Sequence, residues 1–239
     1  MAGVVQTGSD GPIALVAPAS SITPAFDAPP QPHDLLVAWV YASGAAGTLS
    51  TPPGWTKIGE ANGGLNAARI ALYCLPDAAG SDPAPTFTTL LVAGLAAQLL
   101  RYVGHDTTSP IATSATAAGT IETSLTATAG VVNRSGCLAL TAIGRRLIPP
   151  GVDAETPGAG WTNKSYVTSS AKFHYGADVL SNPPVGAPLS ELVTVSSALG
   201  VGFALILAVF QPPAGGGLGS GESYVYYDGM TLAVKRWGS

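Results

Sequence analysis

Residues 34–40, Asp-Leu-Leu-Val-Ala-Trp-Val, form an apolar run that recurs 103 residues later as residues 137–143, Cys-Leu-Ala-Leu-Thr-Ala-Ile. The tripeptide Gly54-Trp55-Thr56 returns in the same way as Gly160-Trp161-Thr162, and three shorter matches keep the same order in the chain. Similarity that keeps its order along a chain indicates a duplicated structural unit. The sequence therefore predicts two related halves, at about 18–106 and 121–211.

The apolar residues within these runs alternate with a period of two. Leu35, Val37 and Trp39 fall on one face of a strand, because successive side chains of a strand point to opposite faces. Turn-forming residues, as in Asn62-Gly63-Gly64, separate the runs. Short strands with frequent turns indicate a sandwich, a jelly roll or a barrel. We predict an all-β fold with almost no helix, a jelly-roll-like β-sandwich built from two related halves over residues 1–211.

The C-terminal residues differ in composition from the rest of the chain. Residues 212–222 are rich in Gly and Pro, which is typical of a flexible linker. In residues 223–239, Asp228-Gly229 separates two alternating runs and favours the turn of a C-terminal β-hairpin. A lone hairpin is marginally stable in water, so we expect this one to dock on a neighbouring molecule. Its predicted interface residues are Tyr224, Tyr226, Tyr227, Met230, Leu232 and Trp237.

The composition restricts the class of protein. Charged residues make up 10% of the 239 residues, against about 25% in an ordinary globular chain. The formal net charge of −4 argues against a nucleic-acid-binding protein. Two cysteines are too few for a disulfide framework, so we expect Cys74 and Cys137 to be free, buried thiols. Such low charge suits a chain that hides part of its surface against neighbours in an assembly.

Two features bear on the location of the protein. The N-terminus has no basic region followed by an apolar run, so we expect no cleaved secretory signal and synthesis in a cytoplasm. The longest apolar stretch without a charge, residues 198–210, is shorter than the roughly 20 residues that cross a bilayer. We therefore expect no membrane insertion.

The sequence contains few signs of catalysis. It has neither the Gly-x-Ser-x-Gly string of hydrolases nor a P-loop, and its three histidines are far apart. We therefore expect no enzymatic activity, no catalytic residue, no cofactor and no metal. A β-sandwich hydrolase with paired loop carboxylates is the disfavoured alternative, and its candidate pairs are Asp77 with Asp82 and Asp153 with Glu155. Such loop carboxylates are expected to be solvated or to cap turns, and Arg145-Arg146 and His174 are expected to face solvent.

The two repeated tryptophans, Trp55 and Trp161, have two interpretations. An exposed Trp on a loop can stack on a sugar ring, so both are candidates for glycan contact. A Trp that follows Gly in a turn can instead fold over the end of a sandwich and close its core. The recurrence of the residue in both halves favours the second interpretation.

Three stretches resemble a known family: residues 52–56, Pro-Pro-Gly-Trp-Thr; residues 101–106, Arg-Tyr-Val-Gly-His-Asp; and residues 226–237 near the C-terminus. Together they resemble the β-sandwich domain of minor tail proteins of phages that infect actinobacteria. The resemblance covers about 18–211 and the last fifteen residues. It implies a non-enzymatic virion structural protein, a minor tail or tail-tip component that forms a homo-oligomer, with a trimer favoured. The implied partners are other virion proteins and a glycan of the host envelope.

Two other functions remain open from the sequence. A capsid decoration protein would use the same type of sandwich on the head of a virion. A bacterial carbohydrate-binding module would present exposed aromatic residues to a sugar. The location of the protein on a particle and its binding of sugars distinguish these alternatives.

Overall fold

The structure, a computed structural model, describes residues 3–7, 9–44, 47–64, 67–148, 153–169, 173–197 and 200–214, and the short strands Val225–Tyr227 and Leu232–Val234. All the regular elements among these residues are β-strands. Over this part of the chain, no helix is long and apolar enough to cross a membrane.

The first half of the chain contains six strands, as the alternating apolar pattern predicts. They are β1 (Val5–Gln6), β2 (Ala14–Ile22), β3 (Leu35–Ser43), β4 (Thr56–Gly63), β5 (Ala68–Leu75) and β6 (Phe87–Val103). These strands form one antiparallel sheet in the order β1-β6-β3-β5-β4, and β2 also pairs with β6. The strand β6 is long enough to pair with β1 near its end and with β2 near its start.

The second half contains eight strands in two sheets. They are β7 (Ile111–Gly119), β8 (Ser124–Val131), β9 (Leu138–Leu147), β10 (Glu155–Thr156), β11 (Thr162–Ser169), β12 (Phe173–Ser181), β13 (Pro188–Val195) and β14 (Gly200–Phe210). A five-stranded sheet has the order β11-β12-β9-β14-β7, and a three-stranded sheet has the order β10-β13-β8.

Apart from β2, the first-half sheet has the same strand order as the five-stranded sheet of the second half. The order β1-β6-β3-β5-β4 becomes β7-β14-β9-β12-β11 when each strand is replaced by its counterpart in the second half. The long strand β6 corresponds to both β13 and β14, since β2 pairs with its start as β8 pairs with β13. A β-bulge also falls at the same place in both halves, at Ile58 in β4 and at Lys164 in β11. Every strand pairing described between residues 3 and 214 joins strands of the same half.

The sheets pack in layers around three apolar cores. The first-half sheet and the five-stranded sheet of the second half share a core in which Trp39 and Tyr41 lie against Tyr175, with ring centroids 5.8 and 5.3 Å away. A second core covers the other face of the first-half sheet, and a third fills the space between β9, β12, β14 and the three-stranded sheet. This layered packing of antiparallel sheets confirms the predicted all-β sandwich. The jelly-roll-like detail remains a prediction.

The C-terminal segment contains the two short strands β15 (Val225–Tyr227) and β16 (Leu232–Val234), which pair antiparallel. The Asp228-Gly229 turn and most of the linker lie outside the described residues. The side chains of the six predicted interface residues also lie outside them, namely Tyr224, Tyr226, Tyr227, Met230, Leu232 and Trp237. Docking of this segment on a neighbour therefore remains a prediction.

Candidate functional site

Trp55 and Trp161 occupy matching positions at the ends of the two outer cores. Each follows a glycine with positive φ, 78° at Gly54 and 86° at Gly160, so the chain can turn sharply before the indole. The backbone N–H of each Trp donates to the carbonyl oxygen three residues earlier, at 3.2 Å for Trp55 and 3.0 Å for Trp161. Both side chains belong to residues that are only 8% exposed, and Trp55 packs edge-on against Phe87. Little ring surface is therefore open at either residue, and glycan contact through these two tryptophans stays a prediction.

The carboxylates that a hydrolase would need are engaged in local structure. Asp77 accepts a hydrogen bond from His33 Nδ1 at 2.8 Å on the surface, and Asp82 accepts one from the Ala79 N–H at 2.5 Å. Within the described ranges, no group of three or more His, Cys, Asp or Glu side chains is arranged to hold a metal ion. The cysteines Cys74 and Cys137 are free and buried, as predicted.

Arg145 is fully buried, so the expectation that it faces solvent is wrong. Its Nη1 donates to Asp153 Oδ2 at 2.5 Å, its Nη2 donates to the carbonyl oxygens of Ser197 and Glu122, and the guanidinium lies 5.5 Å from the Phe203 ring centroid. The alternation of β9 explains this position. Arg145 lies on the same face of the strand as residues 139, 141 and 143, the face that packs against the three-stranded sheet. That same alternation, extended two residues beyond Ile143, was the sequence signal for a buried arginine.

Asp153 is also buried, so its predicted exposure in a loop is wrong as well. Its carboxylate accepts hydrogen bonds from Ser197 N–H at 3.1 Å, Ser196 Oγ at 3.3 Å and the Tyr166 hydroxyl at 3.3 Å, in addition to Arg145. A buried ion pair is stable only when further hydrogen bonds satisfy its remaining polar atoms, and this carboxylate meets that condition. These hydrogen bonds connect Asp153, in the loop before β10, to Ser196 and Ser197, in the loop after β13.

Two further residues near this network, His174 and Glu155, are less exposed than the sequence predicts. His174 is buried against Tyr166, with ring centroids 5.9 Å apart, and burial lowers the pKa of its imidazole. The expected solvent-facing position of His174 is therefore wrong. Glu155 is half-buried and accepts a hydrogen bond from Asn163, and burial raises the pKa of its carboxyl group.

A second polar cluster lies deeper in the same layer and consists of Thr141, Asp178 and Glu191. Thr141 and Asp178 are neighbours across β9 and β12, and Glu191 projects from β13 in the facing sheet. All three residues are fully buried, and the Glu191 carboxyl group interacts with the Thr141 hydroxyl and with the Asp178 carboxyl group. Burial, together with the nearby carboxyl groups of Glu191 and Glu155, raises the pKa of Asp178 to about 10. Burial also raises the pKa of Glu191 to about 7.

This chemistry defines a protonated carboxyl cluster. Two ionised carboxylates can only accept hydrogen bonds, so a buried pair is compatible only when at least one of them holds a proton. The first half has no such group at the matching position. There Ala38 stands opposite Tyr73, and the Tyr73 ring packs on Phe87 at 4.7 Å between centroids. The polar layer is therefore specific to the second half.

The first half has its own distinctive feature, an exposed apolar bulge at residues 89–92 of β6. The register runs from Ser21 opposite Thr88 to Ala19 opposite Ala93, so four residues of β6 face one residue of β2. Leu90, Leu91 and Val92 are 83%, 58% and 66% exposed. Three consecutive apolar side chains in solvent are unusual for a monomer unless they have a function. The sequence signal for this bulge was the run of three large apolar residues directly after Thr88-Thr89.

The matching residues of the second half have the opposite character. They are Ser196 and Ser197, which bond to Asp153 in the buried network described above.

No protein-family profile, curated protein or solved structure matches the chain. Function is therefore inferred from the contacts, burial and charge of the chain itself.

Proposed function

We propose that this protein is a non-enzymatic structural component of a phage virion, a minor tail or tail-tip protein that works as a homo-oligomer. The exposed apolar bulge at residues 89–92 is the observation that carries the assembly role. Exposed apolar patches with polar surroundings mark surfaces that bind other proteins. The low fraction of charged residues and the resemblance described above support the assignment to a virion.

The bulge is held in one conformation before any partner binds. Thr89 Oγ1 donates to the Leu91 carbonyl oxygen at 2.6 Å, and the Gly94 N–H donates to Ser43 Oγ at 3.0 Å. The Leu90 side chain also lies against Gly47, where an added Cβ would meet it at 3.1 Å. A preorganised apolar surface loses little conformational entropy on binding, which favours association.

A second copy of the same chain is the occupant that we assign to this surface. The neighbouring strand β2 also carries exposed apolar side chains, Leu15 at 53% and Val16 at 37%, and this strand pairs with β6 on both sides of the bulge. A patch that lies close to a rotation axis meets its own copies there, and copies arranged around such an axis form a closed homo-oligomer. In a trimer, three bulges would meet near the axis and remove their leucines from water.

We expect the double substitution Leu90→Ser with Leu91→Ser to convert the oligomer into a monomer. Each leucine buried at an interface contributes on the order of 1–3 kcal/mol, so losing two of them weakens association by several orders of magnitude. The mass of the full chain and of the variant would be measured by sedimentation velocity. Leu192→Ser is the matched control, because Leu192 is 49% exposed on the outer face of β13 and stands apart from the bulge. Equal masses for the double variant and the unmodified oligomer would contradict the proposed surface, and a monomeric unmodified chain would contradict self-assembly.

A further inference from the structure

Two side chains from different halves of the chain, Lys164 and Gln6, meet beside the first strand. Gln6 lies in β1 and pairs with Tyr102 of β6, and Lys164 is the extra residue of the bulge in β11. A bulge changes the direction in which its side chain points. The Lys164 Nζ donates a hydrogen bond to Gln6 Oε1, although the two residues are 158 positions apart in the sequence. The amine nitrogen is therefore held against a carboxamide group from the other half of the fold.

The carboxylate of Asp10 contacts both of these groups. Its Oδ1 accepts a hydrogen bond from Gln6 Nε2 at 2.6 Å, and its Oδ2 lies 3.5 Å from Lys164 Nζ. One oxygen thus faces the amide nitrogen and the other faces the amine. A carboxylate in this position can take a proton from the amine as a general base and deliver one to the amide nitrogen as a general acid.

The surroundings of the three groups favour a reaction between them. The Lys164 and Asp10 side chains are 21% and 19% exposed, so most of their surface is shielded from water. Groups that are held in contact react much faster than the same groups in solution, because their encounter no longer costs entropy. Gln6 and Lys164 also line a cavity of about 630 Å³, which gives a small leaving group a route away from the site.

The duplicated fold has no such set of groups at the matching place. There the bulge residue of β4 is Ile58, which packs against the shared core. Val103 and Val209 are counterparts in the repeat, and the residues paired next to them show that Gln6 corresponds to Ser114. An isoleucine and a serine cannot react with each other. The fold therefore forms without this set, which occurs on one side only.

We propose that Lys164 and Gln6 form an intramolecular isopeptide bond, with Asp10 as the proton carrier. The lysine nitrogen bonds to Gln6 Cδ, the bond from Cδ to Nε2 breaks, and two protons pass from the lysine nitrogen to the departing nitrogen through Asp10. Ammonium leaves and Asp10 ends as a carboxylate, so the step needs no oxidant and no second reactant. The reaction occurs once in each chain and therefore differs from enzymatic turnover.

The bond would fasten the first strand of the chain to the second half of the sandwich. The strand β1 is only two residues long, so few backbone hydrogen bonds hold it on β6. A cross-link between residues far apart in the sequence restricts the unfolded chain strongly, which stabilises the folded one. The proposal does not depend on assembly into a virion, and in such an assembly the bond would resist pulling on the N-terminal strand.

Mass spectrometry of the purified full chain tests for this bond. We expect a mass about 17 Da below that of the unreacted chain, because one ammonia is lost. Trypsin should then release residues 1–57 joined to residues 147–172, since a lysine that carries an acyl group is no longer cut. The joined peptide distinguishes this reaction from loss of ammonia at an asparagine. An unreduced mass, with residues 1–57 recovered as a separate peptide, would overturn the proposal.

Two variants test the assigned roles. Lys164→Arg keeps the positive charge beside Asp10, but a guanidinium group stays protonated and cannot attack the amide, so the joined peptide should be absent. Asp10→Asn removes the proton carrier, so the joined fraction should form about 100-fold more slowly. Lys57→Arg is the matched control, because Lys57 is also ion-paired, with Glu60 at 2.6 Å, and this variant should react as the unmodified chain does. A joined peptide in Lys164→Arg, or an unchanged rate in Asp10→Asn, would overturn the proposal.

Discussion

We expect Arg145→Met to lower the free energy of unfolding by about 3–5 kcal/mol, the usual cost of removing one partner from a buried ion pair. Met has a similar length and no charge, so the loss is mainly electrostatic. The Asp153 side chain would remain buried without its Arg145 partner, and the carbonyl oxygens of Ser197 and Glu122 would lose their donor. Equilibrium unfolding in urea measures the change.

Arg134→Met is the matched control for this prediction. The Arg134 side chain is 32% exposed, and its Nη1 lies 3.5 Å from Asp106 Oδ2. Partly exposed ion pairs contribute about 1 kcal/mol or less, so this variant should be close to the unmodified protein. Adding Asp153→Asn to Arg145→Met should recover part of the lost stability, because it removes the uncompensated charge. Similar small losses for Arg145→Met and Arg134→Met would contradict the structural role of the buried pair.

The second large effect is a fall in stability as the pH rises above 7. Burial raises the pKa of Asp178 above the value in the unfolded chain, so the folded protein holds a proton that the unfolded chain releases. Folding is then favoured at low pH, and this stability is lost progressively as the pH rises towards the folded pKa of about 10. The expected slope is about 1.4 kcal/mol per pH unit for one proton.

Between pH 7 and 8.5, the change in the free energy of unfolding comes mainly from the proton on Asp178. Glu191 contributes with the same sign, but mainly below its folded pKa of about 7. The lowered pKa values of His105 and His174 act in the opposite direction below about pH 6.5, where the unfolded histidines take up protons. Burial raises the pKa of both thiols, and they add a smaller loss of the same sign at the upper end of this range, where an unfolded cysteine begins to ionise. We therefore expect a loss of about 2 kcal/mol between pH 7 and 8.5.

Asp178→Asn tests the assignment of this slope. The amide has the shape of the protonated carboxyl group and cannot ionise, so the unfolding free energy of the variant should be nearly flat from pH 7 to 8.5. The variant should also be more stable than the unmodified chain at pH 8.5. Asp77→Asn is the control, since the Asp77 side chain is 56% exposed, and it should retain the original slope. Parallel slopes for Asp178→Asn and the unmodified chain would show that another group titrates.

The strands and the duplicated pattern were accessible from the sequence because alternation and turn residues are local signals. The run around Trp39 and its counterpart at residues 137–143 became β3 and β9, at equivalent positions in sheets of identical order. The buried tryptophans also agree with the interpretation that the sequence favoured, because Gly54 and Gly160 have the positive φ that this turn requires.

The polar layer of the second half was not accessible in the same way. Residue type assigned Arg145 and His174 to solvent, although the alternation of β9 places Arg145 on the same face as Ile143, and this face is buried by the three-stranded sheet. Asp153 lies in the loop before β10, and its burial follows from the contacts of that loop with Arg145 and Ser197. These contacts are set by long-range packing.

Electron microscopy with gold-labelled antibody against this chain tests the central claim most directly. The sample would be particles purified from a lysate of the cells that produce the protein. The account predicts gold at the tail or tail tip of phage particles. Gold over the head would contradict the tail location and favour a decoration protein. Absence of gold from every particle, with the protein present in the soluble fraction, would contradict a virion role.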